Sequence, residues 1–190
     1  MKLEKKLDMA KEITNTKKIL VSGPNSSGQS SWAEYLINKY ESVTYIATGS
    51  SDIKDIEWNK KVLIHKSRRP SSWNLVECTS NLSELVTELT NSNIILDSLG
   101  GFVTMHLDQK DDIWKRIADK FFDVIEQHPM NIVIVTEEVG WSLVPDNSLA
   151  ILFESRLGEL AQQLEKISTD SWLVVQGRAI NLKSIGICVP

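Results

Sequence analysis

Short runs of β-branched and aliphatic residues recur along the chain, at Ile19–Val21, Val43–Ala47, Ile94–Leu96, Ile132–Val135 and Leu173–Val175. Runs this short, apolar at consecutive positions, fit strands buried on both faces, as in a parallel sheet covered by helices. Between them the period changes. In Asp112–Gln127, the apolar residues Ile113, Ile117, Phe121 and Val124 fall at spacings of four, four and three. Leu149, Phe153, Leu157, Leu160, Leu164 and Ile167 do the same over Asn147–Ile167. Both stretches predict amphipathic helices with one core-facing stripe. The alternation predicts an α/β domain of three layers, a mostly parallel sheet between helices, with right-handed crossovers. Trp172–Gln176 and Ala179–Lys183, with Gly177 between them, predict a closing hairpin. No repeat or low-complexity linker divides the chain. One domain is expected over residues 18–190, preceded by a polar extension over residues 1–17.

Composition narrows the class. With 42% hydrophobic and 24% charged residues, a folded core is expected rather than disorder. No apolar run is long enough to span a bilayer. The net charge of −4 argues against a general nucleic-acid binder, though not against binding one nucleotide at a local positive site. Cys78 and Cys188 lie far apart with no CxxC spacing, and His65, His106 and His128 form no metal-binding pattern. His106 and His128 read as surface residues. Trp32, Trp114 and Trp172 read as core; Trp58, Trp73 and Trp141 lie near loops, where either packing or a large ligand could use them. The N-terminal stretch lacks an apolar h-region and carries acidic residues, so a cytoplasmic protein is expected.

In sheets of this kind ligands bind at the carboxyl ends of the strands. The first strand runs into Gly23-Pro24-Asn25-Ser26-Ser27-Gly28-Gln29-Ser30, with a helical pattern behind it. The spacing is that of GxxxxGK[ST], the P-loop, with Gln29 in place of lysine. Two glycines let the backbone turn its N–H groups toward phosphate oxygens, the helix N-terminus adds favourable partial charge, and Ser30 can offer a hydroxyl to Mg²⁺. A Gly/Ser-rich turn with Ser30 as a helix cap is the structural alternative. Gln29 can donate a hydrogen bond but supplies no charge, so phosphate binding should survive its presence better than phosphoryl transfer.

The strand Asn93–Asp97 ends in a carboxylate, as a Walker-B strand does. Asp97 could hold Mg²⁺ directly or through water, or simply cap the next turn. A third feature is Ile64-His65-Lys66-Ser67-Arg68-Arg69-Pro70-Ser71-Ser72-Trp73, one imidazole beside three cations, followed by the apolar pair Leu75–Val76. A neutral imidazole is a nucleophile toward phosphorus, and neighbouring cations keep it neutral and help pyrophosphate leave. A solvated basic face is the alternative.

Together these motifs resemble one family, adenosylcobinamide kinase/adenosylcobinamide-phosphate guanylyltransferase of cobalamin biosynthesis. The resemblance runs in order from the loop Gly23–Ser30 through Tyr45-Ile46-Ala47-Thr48, similar to YIAT. His65-Lys66 with Arg69-Pro70 and Trp73 is similar to HKxxRPxxW. Asp97, Glu138-Val139-Gly140 with Val144-Pro145, and Trp172–Val175 with Gly177 complete it. The segments Asp97–Gly100, Glu137-Glu138 and Gly140-Trp141 look closest to cyanobacterial members. The resemblance implies a P-loop α/β fold, commonly trimeric. It implies phosphorylation of the aminopropanol hydroxyl of adenosylcobinamide, then transfer of GMP from GTP through a guanylyl-histidine, with Mg²⁺. By position His65 would be the nucleophile. Gly23–Ser30, Ala47, Thr48, Gly49, Lys66, Ser67, Arg68, Arg69, Glu77 and Asp97 would meet GTP or ATP, and Ser30 and Asp97 the metal.

The chain departs from the family pattern at several places. Gln29 replaces the loop lysine, Glu137 stands where Asn is usual, Ile151 and Glu154 stand where an arginine pair is common, and Met105 and Ala161 replace frequent Asn residues. These departures weigh first on the kinase step. A degenerate P-loop protein that binds nucleotide or corrinoid without turnover is the competing expectation.

Overall fold

The computed structural model describes residues 16–48, 69–141 and 147–189. Its strands and helices follow in the order β1 (Lys18–Gly23), α1 (Gln29–Ile37), β2 (Thr44–Ala47), β3 (Asn74–Glu77), α2 (Leu82–Glu88), β4 (Asn93–Asp97), α3 (Leu99–Met105), α4 (Asp111–Gln127), β5 (Asn131–Glu137), a 3₁₀ turn (Val139–Trp141), α5 (Ser148–Ile167), β6 (Asp170–Val175), β7 (Arg178–Asn181) and α6 (Leu182–Ile185). The sheet order is β3-β2-β4-β5-β1-β6-β7. Every pairing is parallel except the β6–β7 hairpin.

Alternate side chains leave each strand on opposite faces, which sorts the core into two halves. Leu20, Ile46, Ile94, Leu96, Ile132 and Ile134 face helices α2 to α5, against Leu82, Phe102, Phe121, Ile125, Leu157 and Leu160. Ile19, Val21, Tyr45, Ile95, Val133 and Val135 face α1, against Ala33 and Ile37. The three layers expected from the alternation of strands and helices are therefore present. Both long helices are present, but their buried faces differ from the expected stripes. α4 buries Trp114, Ala118, Phe121 and Ile125, with Ile113, Ile117 and Val124 only half-buried, and α5 buries Leu157, Leu160 and Leu164 while Leu149 is exposed. Each helix starts on a local signal. Asn147 caps α5 by accepting from the Ala150 N–H at 2.9 Å, and Asp111 and Asp112 open α4 where the helix dipole favours acidic residues.

Four short elements escaped the sequence reading, α6 among them, since Leu182 and Lys183 read as the end of the hairpin strand Ala179–Lys183. β3 shows only an apolar pair, Leu75–Val76, because it is a four-residue edge strand with both ends exposed. α2 and α3 have seven residues each, too few for a period to stand out. Two further expectations are corrected. His106 is not a surface residue: its ring is half-buried, edge-on to Phe102 with centroids 5.2 Å apart. His128 is half-buried too, at the C-terminus of α4. Of the tryptophans, Trp114 is buried, Trp32 and Trp172 are half-buried and pack edge-on at 5.1 Å, and Trp73 packs against the α1-side core. Trp141 is 59% exposed, and Trp58 lies outside the described residues.

Arg156 holds the α3–α4 connection. Its side chain is 4% exposed and donates to the carbonyls of His106 at 3.0 Å and Gln109 at 2.6 Å. It also reaches Asp111 at 2.9 Å, but that carboxylate is 90% exposed and adds little. The hydrogen bonds to buried carbonyls carry the interaction. Arg156→Met, which keeps the stem and removes the donors, is expected to destabilise the fold by about 2–4 kcal/mol in urea denaturation.

Candidate functional site

β1 ends at Gly23, where a Cβ would lie 2.4 Å from the Val174 carbonyl oxygen and 2.5 Å from Ser27 Oγ. Only glycine passes there. The loop then turns on a Ser27 N–H to Pro24 carbonyl hydrogen bond of 3.1 Å. Gly28, at φ 104°, takes the left-handed conformation that starts α1, and the Trp32 N–H closes the first turn onto its carbonyl at 3.0 Å. The β6–β7 turn braces the loop from the side, through the Gly177 N–H to Ser27 carbonyl bond of 3.2 Å. Because Gly28 occupies the cap position, Ser30 is not the helix cap, and its hydroxyl is not spent there.

Gln29 turns inward and is 8% exposed. Its Oε1 accepts from Ser27 Oγ at 2.7 Å, and its Nε2 donates to the Gly23 carbonyl at 3.5 Å. The residue in the lysine position thus ties the loop to itself.

The second half of the site is set by register. Asp97 on β4 lies level with Ala47 on β2 and Val135 on β5, and Ala47 lies level with Glu77 on β3. β5 separates β4 from β1, so Asp97 stands two strand spacings, about 10 Å, across from the phosphate-loop strand. Tyr45 donates its phenol to Asp97 Oδ2. The Arg69 guanidinium stacks on the Tyr45 ring, 3.4 Å from its centroid, and faces Glu34 of α1 at 3.6 Å.

Behind Asp97 the backbone is held from two sides. Thr48 Oγ1 accepts from the Ser98 N–H at 2.9 Å and donates to the Ser98 carbonyl at 2.6 Å. Glu137, at the end of β5, accepts from Ser98 Oγ and from the Gly100 N–H at 3.1 Å. The close approach requires glycines: a Cβ would lie 2.5 Å from Glu137 Oε2 at Gly100 and 2.2 Å from Thr48 Oγ1 at Gly101. Burial, with Asp97 adding to it, pushes the Glu137 carboxyl above its ordinary range, against the hydrogen bonds that lower it. Burial and the Asp97 charge keep the Tyr45 phenol protonated.

The structure therefore brings Gly23, Pro24, Asn25, Ser26, Ser27, Gly28, Gln29 and Ser30 to the carboxyl end of β1, and Ala47, Thr48 and Asp97 to the neighbouring strand ends. Arg69 joins them through Tyr45. Glu77 is exposed on the edge strand, four spacings or about 19 Å from β1, too far to share a phosphate with the loop. Gly49, His65, Lys66, Ser67 and Arg68 lie outside the described residues. Thr48 spends its hydroxyl on Ser98, so its contribution to a ligand would come from the backbone. Sequence reading noted Glu137 only as a departure and Tyr45 only as part of a motif. Nothing in the spacing announces that both hold the Asp97 turn.

Among the described residues no three His, Cys, Asp or Glu side chains converge as a metal site. Asp97 and Ser30 fit the sparser needs of Mg²⁺, which keeps several waters and takes the rest of its shell from phosphate oxygens. A cleft of about 670 Å³ opens elsewhere, between α2, α3 and α4, floored by Phe102, Ile113 and Ile117. Its cations are already matched, Arg116 by Asp112 and Lys120 by Glu84.

A strand, a glycine-bounded loop and a helix, faced by a carboxylate one strand removed, define a P-loop α/β nucleotide-binding fold. Solved structures agree on the fold. A KaiC-like protein from Pyrococcus horikoshii OT3 matches with TM-score 0.50 and 11% identity over 83% of this chain and 70% of that one. A second Pyrococcus horikoshii OT3 protein matches with TM-score 0.50 and 12% identity, over 89% and 87%. The family model for cobinamide kinase/cobinamide phosphate guanyltransferase matches residues 19–182. Two proteins named bifunctional adenosylcobalamin biosynthesis protein CobU are similar, from Salmonella typhimurium at 33% identity and Escherichia coli K12 at 34%. Each alignment covers 87% of this chain and 99% of the relative. The chain belongs to the cobinamide kinase/cobinamide phosphate guanyltransferase family.

The Glu137 carboxyl gives a pH signature. Its folded-state pKa is raised above the ordinary 4.5, so the folded protein holds a proton that the unfolded chain has released. That contribution is present in full below 4.5 and is lost as pH rises through the raised value. Glu137→Gln, which imitates the protonated form, is expected to gain stability relative to the parent as pH rises from 4.5 to 7.5. Paired urea titrations across that range check it.

Proposed function

We propose that this chain is a bifunctional kinase and guanylyltransferase acting on adenosylcobinamide, with GTP (or ATP) as phosphate donor and Mg²⁺ as the companion ion. Family membership makes it an enzyme of this class. The observation that carries the nucleotide chemistry is the phosphate loop facing Asp97 across β5. In the first reaction the aminopropanol hydroxyl attacks the γ-phosphorus, the bond to the β-phosphate oxygen breaks, and the nucleoside diphosphate leaves. In the second, an imidazole nitrogen of His65 attacks the α-phosphorus of GTP and pyrophosphate leaves. The adenosylcobinamide phosphate oxygen then displaces His65 and takes the GMP. One hard displacement becomes two easier ones.

The residues described above have separate tasks. The loop and the α1 N-terminus bind phosphate through backbone dipoles. Ser30 and Asp97 would hold Mg²⁺, which supplies charge neutralisation on the polyphosphate when bound. Lys66 and Arg68 would neutralise the departing pyrophosphate, while Arg69 is held against Tyr45 and Glu34 at the edge of the site. Following the family resemblance, we read the working enzyme as a cytoplasmic homotrimer binding a nucleotide and a corrinoid.

The inward turn of Gln29 favours a second reading, nucleotide binding without turnover. A missing cation at this point costs on the order of 2–4 kcal/mol of transition-state stabilisation, which slows the kinase step rather than the binding. Incubation with Mg²⁺ and GTP labelled at the α- or γ-phosphate separates the two readings. Acid-labile, alkali-stable protein label is expected from α-labelled GTP and is expected to disappear in His65→Ala. Binding without label would favour the second reading. Gln29→Lys is expected to raise the kinase rate about tenfold or more in a γ-phosphate transfer assay, leaving the protein label from α-labelled GTP in place.

A further inference from the structure

Tyr45 has a buried phenol where packing alone would accept phenylalanine. Its side chain is 2% exposed and belongs to the α1-side core, with Ile95 and Val135. A buried hydroxyl needs a partner, and this one donates to Asp97 Oδ2. The register explains why it can. Tyr45 lies level with Ile95, and Asp97 follows two residues later on the same face of the adjacent strand. The Asp97 backbone is fixed separately, its carbonyl accepting from the Thr48 N–H at 3.1 Å. The phenol therefore acts on the rotation of the carboxylate and little else. The ring is itself pinned by Arg69, stacked at 3.4 Å, with Glu34 on the guanidinium's Nε.

We propose that Tyr45 is a positioning residue for the metal–nucleotide site, one that occupies one oxygen of Asp97 and presents the other, Oδ1, in a single orientation. The proposal rests on the reading of Asp97 as a Mg²⁺ ligand. A carboxylate with one oxygen tied offers a single donor, which suits an ion that keeps its waters and rejects two-oxygen chelation. It also spares the metal the cost of ordering a free side chain.

Calorimetric GTP affinity, measured with Mg²⁺ and again with EDTA, tests this in parent, Tyr45→Phe and Asp97→Asn proteins. Tyr45→Phe keeps the ring, its packing and the Arg69 stack, and removes only the hydroxyl. Its affinity in EDTA is expected to equal the parent's, while the Mg²⁺-dependent gain shrinks about tenfold, as for loss of a charge-assisted hydrogen bond. Asp97→Asn is expected to lose the gain altogether. A parent-like Mg²⁺ gain in Tyr45→Phe, with the gain lost in Asp97→Asn, would overturn the positioning role alone. A full Mg²⁺ gain in Asp97→Asn would overturn the metal assignment and this proposal with it. Equal weakening of Tyr45→Phe in Mg²⁺ and in EDTA would mark a packing role and also overturn it.

Discussion

Parallel pairing of β4 with β5, and of β5 with β1, is the constraint from which the rest of the site follows. Each register is fixed over at least five residues by apolar side chains that must alternate between two helix layers. Slipping one strand by one residue would turn Ile95 and Asp97 to the wrong face. The hydrophobic pattern that folds the sheet is therefore also what places Asp97 two strand spacings, about 10 Å, from the strand that carries the glycine loop. The turn after Asp97 is secured by hydrogen bonds from neighbours on both sides, Thr48 from β2 and Glu137 from β5. Thr48 sits immediately after β2 and Glu137 ends β5, so the turn is tied to both neighbouring strands.

The departures at residues 29 and 137 change the hydrogen bonding of the site as well as its charge. A lysine lost and a carboxyl gained would leave the loop two charges more negative than the family pattern. The Glu137 carboxyl, however, is disposed by burial toward its neutral form, and it already satisfies Ser98 and Gly100. Gln29 spends its amide on Ser27 and Gly23. Both side chains are hydrogen-bonded into the strand ends around them, Gln29 beside β1 and Glu137 from β5 to the turn after β4.

The sheet, the two long helices, the hairpin and the phosphate loop were legible in the sequence because each has a one-dimensional signature. Ile132–Val135 is a continuous apolar run, Asp112–Gln127 keeps its period for four turns, and Gly23–Ser30 has fixed glycine spacing. β3 and α3 were not legible because four or seven residues carry no period. His106 and Arg156 were misread or passed over because their burial comes from contact with residues far along the chain. The partners of Tyr45 and Glu137 were invisible for the same reason: a register between strands is a two-dimensional fact. The basic segment around His65 was legible as chemistry, yet His65 itself lies outside the described residues.

The brace on the phosphate loop has a consequence for how the protein is made. Ser22 donates to the carbonyl of Trp172, 150 residues away along the chain, and Gly177 closes onto Ser27. β1 gains its β6 neighbour, and the loop its flank, only once the chain through Gly177 has been made. A chain made only as far as α5 therefore carries the glycine loop without the wall that shapes it. The shape of the loop is in this way tied to residues about 150 positions further along the chain.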